Sequence, residues 1–228
     1  MEKEKHIIEY YVICNKLKHL IRTGWIDWNV KSDRIESVAE HIYGTQMLAL
    51  AIYSEYEEYK EIDIMKVMFM LAIHELGETI IGDLTQFQIT KEEKKKIEHE
   101  AVQSILKNLL LGEEINKLFT EFDEHITKES QFAYMCDKLE CDIQCKLYDL
   151  EGNVDLNNQQ KNETIKNEEV KELLKENSWS TMWLKFGQKK YEYDENFIKL
   201  SNYTISNDIR KEYKWCEPQI GDIIYIPF

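Results

Sequence analysis

The chain has 228 residues, of which 43% are hydrophobic, so it is long enough for one substantial core and too short for two full-sized domains. Its 43 acidic and 29 basic residues give a formal net charge of -14, and a surface of that sign repels polyanions. Duplex nucleic acid is therefore not an expected partner. A small nucleotide is not excluded, because a bound cation and a few local basic groups can outweigh the average field at one pocket.

The composition predicts an all-α protein. Eight glycines and two prolines leave few positions for tight turns, whereas Leu, Ile, Lys and Glu are abundant. Hydrophobic spacings near three and four residues, together with capping signals, predict helices in chain order over residues 6–21, 37–56, 63–73, 90–111, 113–127 and 130–150.

Two capping boxes fix helix starts, Ser37 with Glu40 and Thr90 with Glu93. Between them lies a strongly apolar helix that begins near Asp63 and ends in the adjacent pair His74-Glu75, with the chain expected to leave the helix near Ile81. The helix that follows Thr90 carries three consecutive lysines, residues 94–96. Because acidic neighbours dilute this run, it is interpreted as a solvated helix face and not as a phosphate-binding patch.

The chain is expected to form a main domain over residues 1–150 and a C-terminal extension, residues 151–228, packed on it. Residues 151–167 turn to Gly, Asn and Gln, which is typical of a connection, and the aromatic-rich remainder reads as a helical appendage ending in the extended segment 223–228. No uninterrupted apolar run of about 18 residues occurs, which predicts no membrane partner. The charged first ten residues and five cysteines without a CxxC pair predict reduced thiols and a cytoplasmic protein.

Four residues on three predicted helices suit a divalent metal ion: His41, His74, Glu75 and Asp137. Neutral imidazoles and carboxylates are good ligands for such ions, and a site with open positions makes water nucleophilic near neutral pH. Adjacent helical side chains diverge by about 100°, so His74 and Glu75 both reach one ion only if it lies between their two directions.

The words ESVAEH, HELGETIIGD and CDKLE resemble the HD superfamily in the order H, HD, D, and specifically its 5'-deoxynucleotidase branch. The resemblance covers roughly residues 15–150. It implies a compact HD-domain helical bundle and one divalent cation (Mn, Co, Mg, Zn or Fe) held by His41, His74, Glu75 and Asp137. It further implies a nucleoside 5'-monophosphate substrate and a homodimer. The family motif has His-Asp where this chain has His74-Glu75, a carboxylate longer by one methylene, which puts the coordination mode and the metal preference in question.

The same resemblance implies further site residues. Glu78 would be the catalytic carboxylate that handles the proton, and Asp83 would orient water or sugar. Arg22 and Trp25 of the RTGW segment, with Arg34, would hold the nucleotide. The competing interpretations are an exposed helical carboxylate for Glu78, a turn or cap residue for Asp83, surface arginines and a core tryptophan.

The sequence therefore predicts a metal-dependent phosphomonoester hydrolase acting on (deoxy)nucleoside 5'-monophosphates. Two alternatives remain open. One is another HD reaction, on nucleoside triphosphates or cyclic nucleotides. The other is a nucleotide-binding regulatory protein with a weakened site, for which Glu75 and the aromatic C-terminal part are the motivating features.

Overall fold

A computed structural model describes residues 2–85 and 88–210 of the chain. These residues form eleven α-helices in chain order: α1 (Glu2–Cys14), α2 (Thr23–Asp27), α3 (Val38–Glu55), α4 (Ile64–Ile73), α5 (Glu78–Ile81), α6 (Lys91–Leu106), α7 (Gly112–Glu124), α8 (Lys128–Leu150), α9 (Glu168–Leu174), α10 (Trp179–Lys190) and α11 (Glu195–Ser206). Three short 3₁₀ helices join them, Asn15–Lys18, Glu57–Tyr59 and Glu163–Lys166.

The all-α prediction is confirmed, because the described residues contain no strand and only an isolated bridge between Ile21 and Ser37. Both predicted capping boxes form, so α3 begins after Ser37 and α6 begins after Thr90. Within the described ranges each helix is too short or too polar to span a lipid bilayer.

Several helix boundaries differ from the predictions. The first helix ends at Cys14, and the short helix α2 lies where no helix was predicted. The helix expected to reach residue 111 ends at Leu106, because Gly112 packs against the Leu106 carbonyl so closely that a Cβ atom would collide with it. A tight turn, with Leu109 N donating to Leu106 O at 2.9 Å, replaces the last predicted helical turn.

Helix α8 is the central element of the fold. Its 23 residues extend about 35 Å, and it packs against α3, α4, α7, α10 and α11. One hydrophobic core lies between α3, α4, α8 and α11, and a second joins α8 and α10 to the tryptophans of the segment around α2. Helix α8 therefore contributes to both cores. Residues at different positions along it also line the cavity described below.

The C-terminal helices are integral to the packing. Asp149 of α8 accepts hydrogen bonds from the backbone N (3.0 Å) and the Oγ (2.5 Å) of Ser180, and Tyr59 donates to Asp194 at the start of α11 (2.6 Å). Leu184 and Phe197 are fully buried in the first core. The domain boundary near residue 150 stays a prediction, and the segment 223–228 expected to be extended lies outside the described residues.

Candidate metal centre and its cavity

The fold brings together His41, His74, Glu75 and Asp137, the four metal-ligand candidates, and one ligand atom from each lies within 4.8 Å of all the others. His41 Nε2 is 3.0 Å from Asp137 Oδ1 and 3.8 Å from Glu75 Oε1. His74 Nε2 is 3.6 Å from Glu75 Oε1 and 3.7 Å from Asp137 Oδ1. Two imidazole nitrogens and two carboxylates thus converge on a space the size of one ion.

His74 and Glu75 lie in the turns that directly follow α4. Helix α4 ends at Ile73, and the next four residues form turns, with Leu76 N donating to Ile73 O (2.9 Å) and Glu78 N to Glu75 O (3.1 Å). The chain leaves helical structure at Ile81 as expected, but a break at residues 74–77 separates the single turn α5 from α4.

The donor set fits a divalent cation. His74 Nδ1 lies 2.8 Å from Leu71 O, and since a carbonyl only accepts, Nδ1 carries the hydrogen and donates it. In neutral His74 the Nε2 atom is then a free lone pair, and this buried atom has no hydrogen-bond partner. A buried polar atom without a partner is costly, and a cation bound by His74, His41 and the two carboxylates would satisfy it.

His41 is held by a third carboxylate that the sequence analysis missed. Its Nδ1 lies 2.5 Å from Glu140 Oε2, which directs Nε2 towards Asp137. Gly44 faces Glu140 so closely that a Cβ atom would collide with its carboxylate. Burial and Arg22 lower the pKa of His41, but Glu140 and Asp137 outweigh them and raise it to about 9. Glu140 belongs to the CDKLE word, and its spacing of three from Asp137 was the available signal.

Basic groups balance the two carboxylates of the cluster. Arg22 donates to Glu75 Oε1 at 3.0 Å, and Lys138 Nζ lies 2.7 Å from Asp137 Oδ2. Burial alone would raise the pKa of Glu75, but His74 and Arg22 hold it well below its usual range. Burial likewise opposes ionisation of Asp137, and Lys138, with the hydrogen bond to His41 and the nearby His74 ring, keeps its pKa well below normal. Both carboxylates are therefore ionised at neutral pH.

Glu78 is buried and lines the same cavity, so the interpretation as an exposed carboxylate is wrong. Its Oε1 lies 3.4 Å from Lys94 Nζ, and its Oε2 has no hydrogen-bond partner. Burial, with Glu75 and Asp83, raises the pKa of Glu78 well above its usual value. The solvated-face interpretation of the lysine run is wrong for Lys94, which lines the cavity and pairs with Glu78 and Glu98.

Asp83 lines the cavity and also caps α2 from sixty residues away. Its Oδ2 accepts from Thr23 N at 2.6 Å, and its carbonyl accepts from Thr23 Oγ1 at 2.6 Å. This pair of bonds fixes the loop after α5 against the segment that carries Arg22. Asp83 is thus a capping residue of α2, and its role in orienting water or sugar stays a prediction.

Trp25 belongs to the second core and also lines the cavity, with its Nε1 donating to Glu36 Oε2 at 2.8 Å. Arg34 is placed differently: its side chain is 83% exposed, pairs with Glu40 and is not among the cavity-lining residues. The structure therefore brings Arg22 and Trp25 to the metal cluster and leaves Arg34 at the surface.

The cavity has a volume of about 470 Å³, which is within the range of small-molecule sites. Besides the residues above, it is lined by Lys138 and Asp142 of α8, which the sequence analysis did not single out. Their separation of four residues places them on one face of α8, which was the signal available in the sequence. Several cations thus face this cavity despite the overall charge of -14.

Comparisons with known proteins show which family this chain resembles. A family model described as an HD domain matches residues 14–179. A 5'-deoxynucleotidase from Dictyostelium discoideum is 37% identical over 148 residues, which are 62% of this chain and 77% of that protein.

Two solved structures are also similar. A conserved hypothetical protein from Pyrococcus furiosus is 32% identical, covers 74% of this chain and 97% of its own, and superposes with a TM-score of 0.56. A protein from Magnetospirillum magnetotacticum, titled a predicted metal-dependent phosphohydrolase, is 19% identical and shares the fold over 93% of this chain and 98% of its own, with a TM-score of 0.62.

Proposed function

This chain belongs to the HD-domain family and is an HD phosphohydrolase, and on that premise we propose that it releases phosphate from (deoxy)nucleoside 5'-monophosphates. The observation that carries the proposal is the unpartnered, buried Nε2 atom of His74 among three further ligand atoms within 4.8 Å. The similarity to a protein named 5'-deoxynucleotidase supports the substrate class.

We assign the binding of a single divalent cation to His41, His74, Glu75 and Asp137. When bound, such an ion withdraws charge from a phosphoryl group and lowers the pKa of water near it. Glu140 orients His41, and Arg22 and Lys138 balance Glu75 and Asp137, so these ligands are held before the substrate arrives.

The residues around the cluster would act on the substrate. Arg22 and Lys94 line the cavity beside Glu75 and Glu78, where their charges attract a terminal phosphate. Glu78, whose pKa burial and its neighbours Glu75 and Asp83 raise well above the usual value, would transfer the proton that the departing 5' oxygen needs.

The remaining site residues carry roles proposed from the resemblance. Trp25 offers an indole edge to the nucleoside part, and Asp83 lies on the loop that closes the cavity near Arg22. Arg34 would have to leave its exposed pairing with Glu40 to reach a nucleotide, so its role rests on the resemblance alone.

The test is phosphate release by metal-stripped protein reloaded separately with manganese, cobalt, magnesium, zinc or ferrous iron. The panel contains ribo- and deoxyribonucleoside 5'-monophosphates, with a nucleoside triphosphate and a cyclic nucleotide. Release from monophosphates that requires metal supports the proposal. Turnover of the triphosphate or the cyclic nucleotide alone would replace it with another HD reaction. A folded, metal-loaded protein that releases no phosphate, but that nucleotides stabilise against heat, would favour a regulatory binding protein.

We also propose a homodimer in a reducing, cytoplasmic compartment. Helix α1 exposes four apolar side chains, Ile7, Ile8, Tyr11 and Val12, each 56–59% exposed, and a second subunit would cover such a surface. The four described cysteines are free thiols, which suits a reducing compartment. Light scattering gives the mass in solution, and microscopy of a tagged chain gives the compartment.

A further inference from the structure

Three acidic residues form a second cluster beside the candidate metal centre. Glu75, Glu78 and Glu98 each place one carboxyl oxygen within 4.8 Å of the oxygens of the other two. Glu75 belongs to both clusters, because it is also one of the four ligand candidates of the metal centre. Two clusters that share a carboxylate have the layout of two adjacent cation positions, and in two-metal phosphatases the ions lie about 3.5–4 Å apart.

The donor set of the second cluster suits a divalent cation. Carboxylate oxygens are the ligands that magnesium and manganese prefer. The side chain of Glu78 is only 1% exposed, and its Oε2 atom has no hydrogen-bond partner among the described residues. A buried carboxyl oxygen without a partner is costly, so this cluster has a need for positive charge that a group of surface acids would not have.

Lys94 of α6 places its ammonium group in this cluster. Its Nζ lies 3.4 Å from Glu78 Oε1 and 3.4 Å from Glu98 Oε1. Lys94 and Glu98 are four residues apart on α6, which puts them on one face of the helix, and Glu78 belongs to α5, which packs against α6. The ammonium group therefore lies where a cation shared by Glu78 and Glu98 would have to lie.

An ammonium group and a divalent cation cannot occupy this position together. Both need the same oxygens of Glu78 and Glu98, and two positive charges at contact distance repel each other. The ammonium group of Lys94 has three N–H donors. Two of them can face Glu78 and Glu98, which leaves the third for an oxygen of a bound phosphate.

We propose that Lys94 is a built-in cation that occupies the second of two adjacent cation positions and thereby keeps the metal centre at one ion per chain. This inference rests on the metal centre of the proposed function. Lys94 contributes positive charge beside the phosphate, but it does not lower the pKa of water as a metal ion does. The activation of water is therefore left to the single ion of the metal centre.

The experiment counts the manganese ions bound after equilibrium dialysis of metal-stripped wild-type protein, Lys94→Ala and Lys94→Gln. Removing the ammonium group leaves the three acidic residues without their compensating charge, so each variant should bind two ions per chain where wild-type protein binds one. Two variants are used because the loss of a buried charge partner can impair folding. Circular dichroism identifies the folded variant, and that variant decides the outcome.

Lys95→Ala is the matched control. Lys95 is the next residue on α6 and lines the same cavity, but its Nζ lies 2.7 Å from Asp123, outside the acidic cluster, so this variant should stay at one ion. Lys94→Arg keeps a positive charge and should also stay at one ion. Adding Glu98→Ala to Lys94→Ala should return the count to one, because Glu98 is a ligand of the second position alone.

Electron paramagnetic resonance shows where the additional ion binds. Two manganese ions that share Glu75 are close enough for their electron spins to couple, which changes the spectrum from that of an isolated ion. The chain carries a net charge of -14, so an additional ion without coupling would be adventitious surface binding and would overturn the inference. One ion per chain in folded Lys94→Ala or Lys94→Gln, or two coupled ions in wild-type protein, would also overturn it.

Failure of the proposed function is separable from failure of this inference. The ions are counted without substrate, so a protein that hydrolyses no nucleotide still gives the answer. If wild-type protein binds no manganese but Lys94→Ala binds one ion that Glu98→Ala removes, the ligand assignment of the metal centre fails and Lys94 still occupies a cation position. If neither protein binds an ion, both proposals fail.

Discussion

The two ends of the cavity differ in how their charged groups are satisfied. At the metal end the protein supplies a partner for His41, Glu75 and Asp137, through Glu140, Arg22 and Lys138. At the end facing α10, Asp142 lies near Gly187 and aromatic rings with one oxygen unpartnered.

This difference separates charged groups that are paired in advance from a buried carboxyl that lacks a hydrogen-bond partner at one oxygen. Opposite charges and hydrogen bonds hold His41, Glu75 and Asp137 in place, and the buried atoms left without a partner there are His74 Nε2 and Glu78 Oε2. Preorganised charges of this kind contribute most to catalysis. Variants at the metal end should therefore change rate and metal affinity.

The largest expected effect is that of His74→Ala. Losing one of four ligands should abolish metal retention and lower phosphate release about 10³-fold, since several kcal/mol of charge stabilisation depend on the ion. Metal content after dialysis and single-substrate kinetics measure the two losses. His99→Ala is the control, because His99 bonds Asp123 outside the ligand cluster and should leave both unchanged. Full activity of His74→Ala would refute the ligand assignment.

Glu78→Gln should lower kcat about 10²-fold or more while the protein retains its metal. The amide keeps the shape of the side chain but carries no proton that it can transfer. Metal content at the wild-type level, together with the lost rate, would separate this role from ligation. A variant with unchanged kcat would show that Glu78 is only the buried partner of Lys94.

A smaller effect should follow from Gly44→Ala, which pushes Glu140 away from His41 without touching a ligand. A residue that orients a metal ligand, as Glu140 orients His41, typically contributes about 10- to 100-fold to metal affinity. Glu140→Gln should reproduce the loss. Gly24→Ala is the matched control, since a Cβ atom there meets nothing within 4 Å. Equal metal affinity of Gly44→Ala and Gly24→Ala would contradict the role given to Glu140.

The fold class and the metal cluster could be predicted from the sequence because both depend on short-range patterns. The capping box of Ser37 and Glu40 predicts the start of α3, and the HELGETIIGD motif marks the end of the buried helix α4. The break between that helix and the separate turn α5 carried no comparable signal, since the turns at 74–77 contain a single glycine. Tertiary packing decided that break.

Other residues that line the cavity could not be predicted in the same way. Lys94 reads as part of a solvated lysine run, and its burial becomes visible only when α6 is placed beside α5 and Glu78. In the sequence, Asp142 is one more charged residue of α8. Its contact with Gly187, forty-five residues later, is visible only in the structure. Contacts between distant segments leave no local pattern.

The most direct test of the central claim is a manganese titration of the metal-stripped protein, with bound metal and phosphate release from dGMP measured in the same samples. Activity should rise in proportion to bound manganese and level off at one ion per chain, and His74→Ala should neither bind the ion nor release phosphate. Phosphate release by the stripped protein, or one bound ion per chain in His74→Ala with full activity, would contradict it.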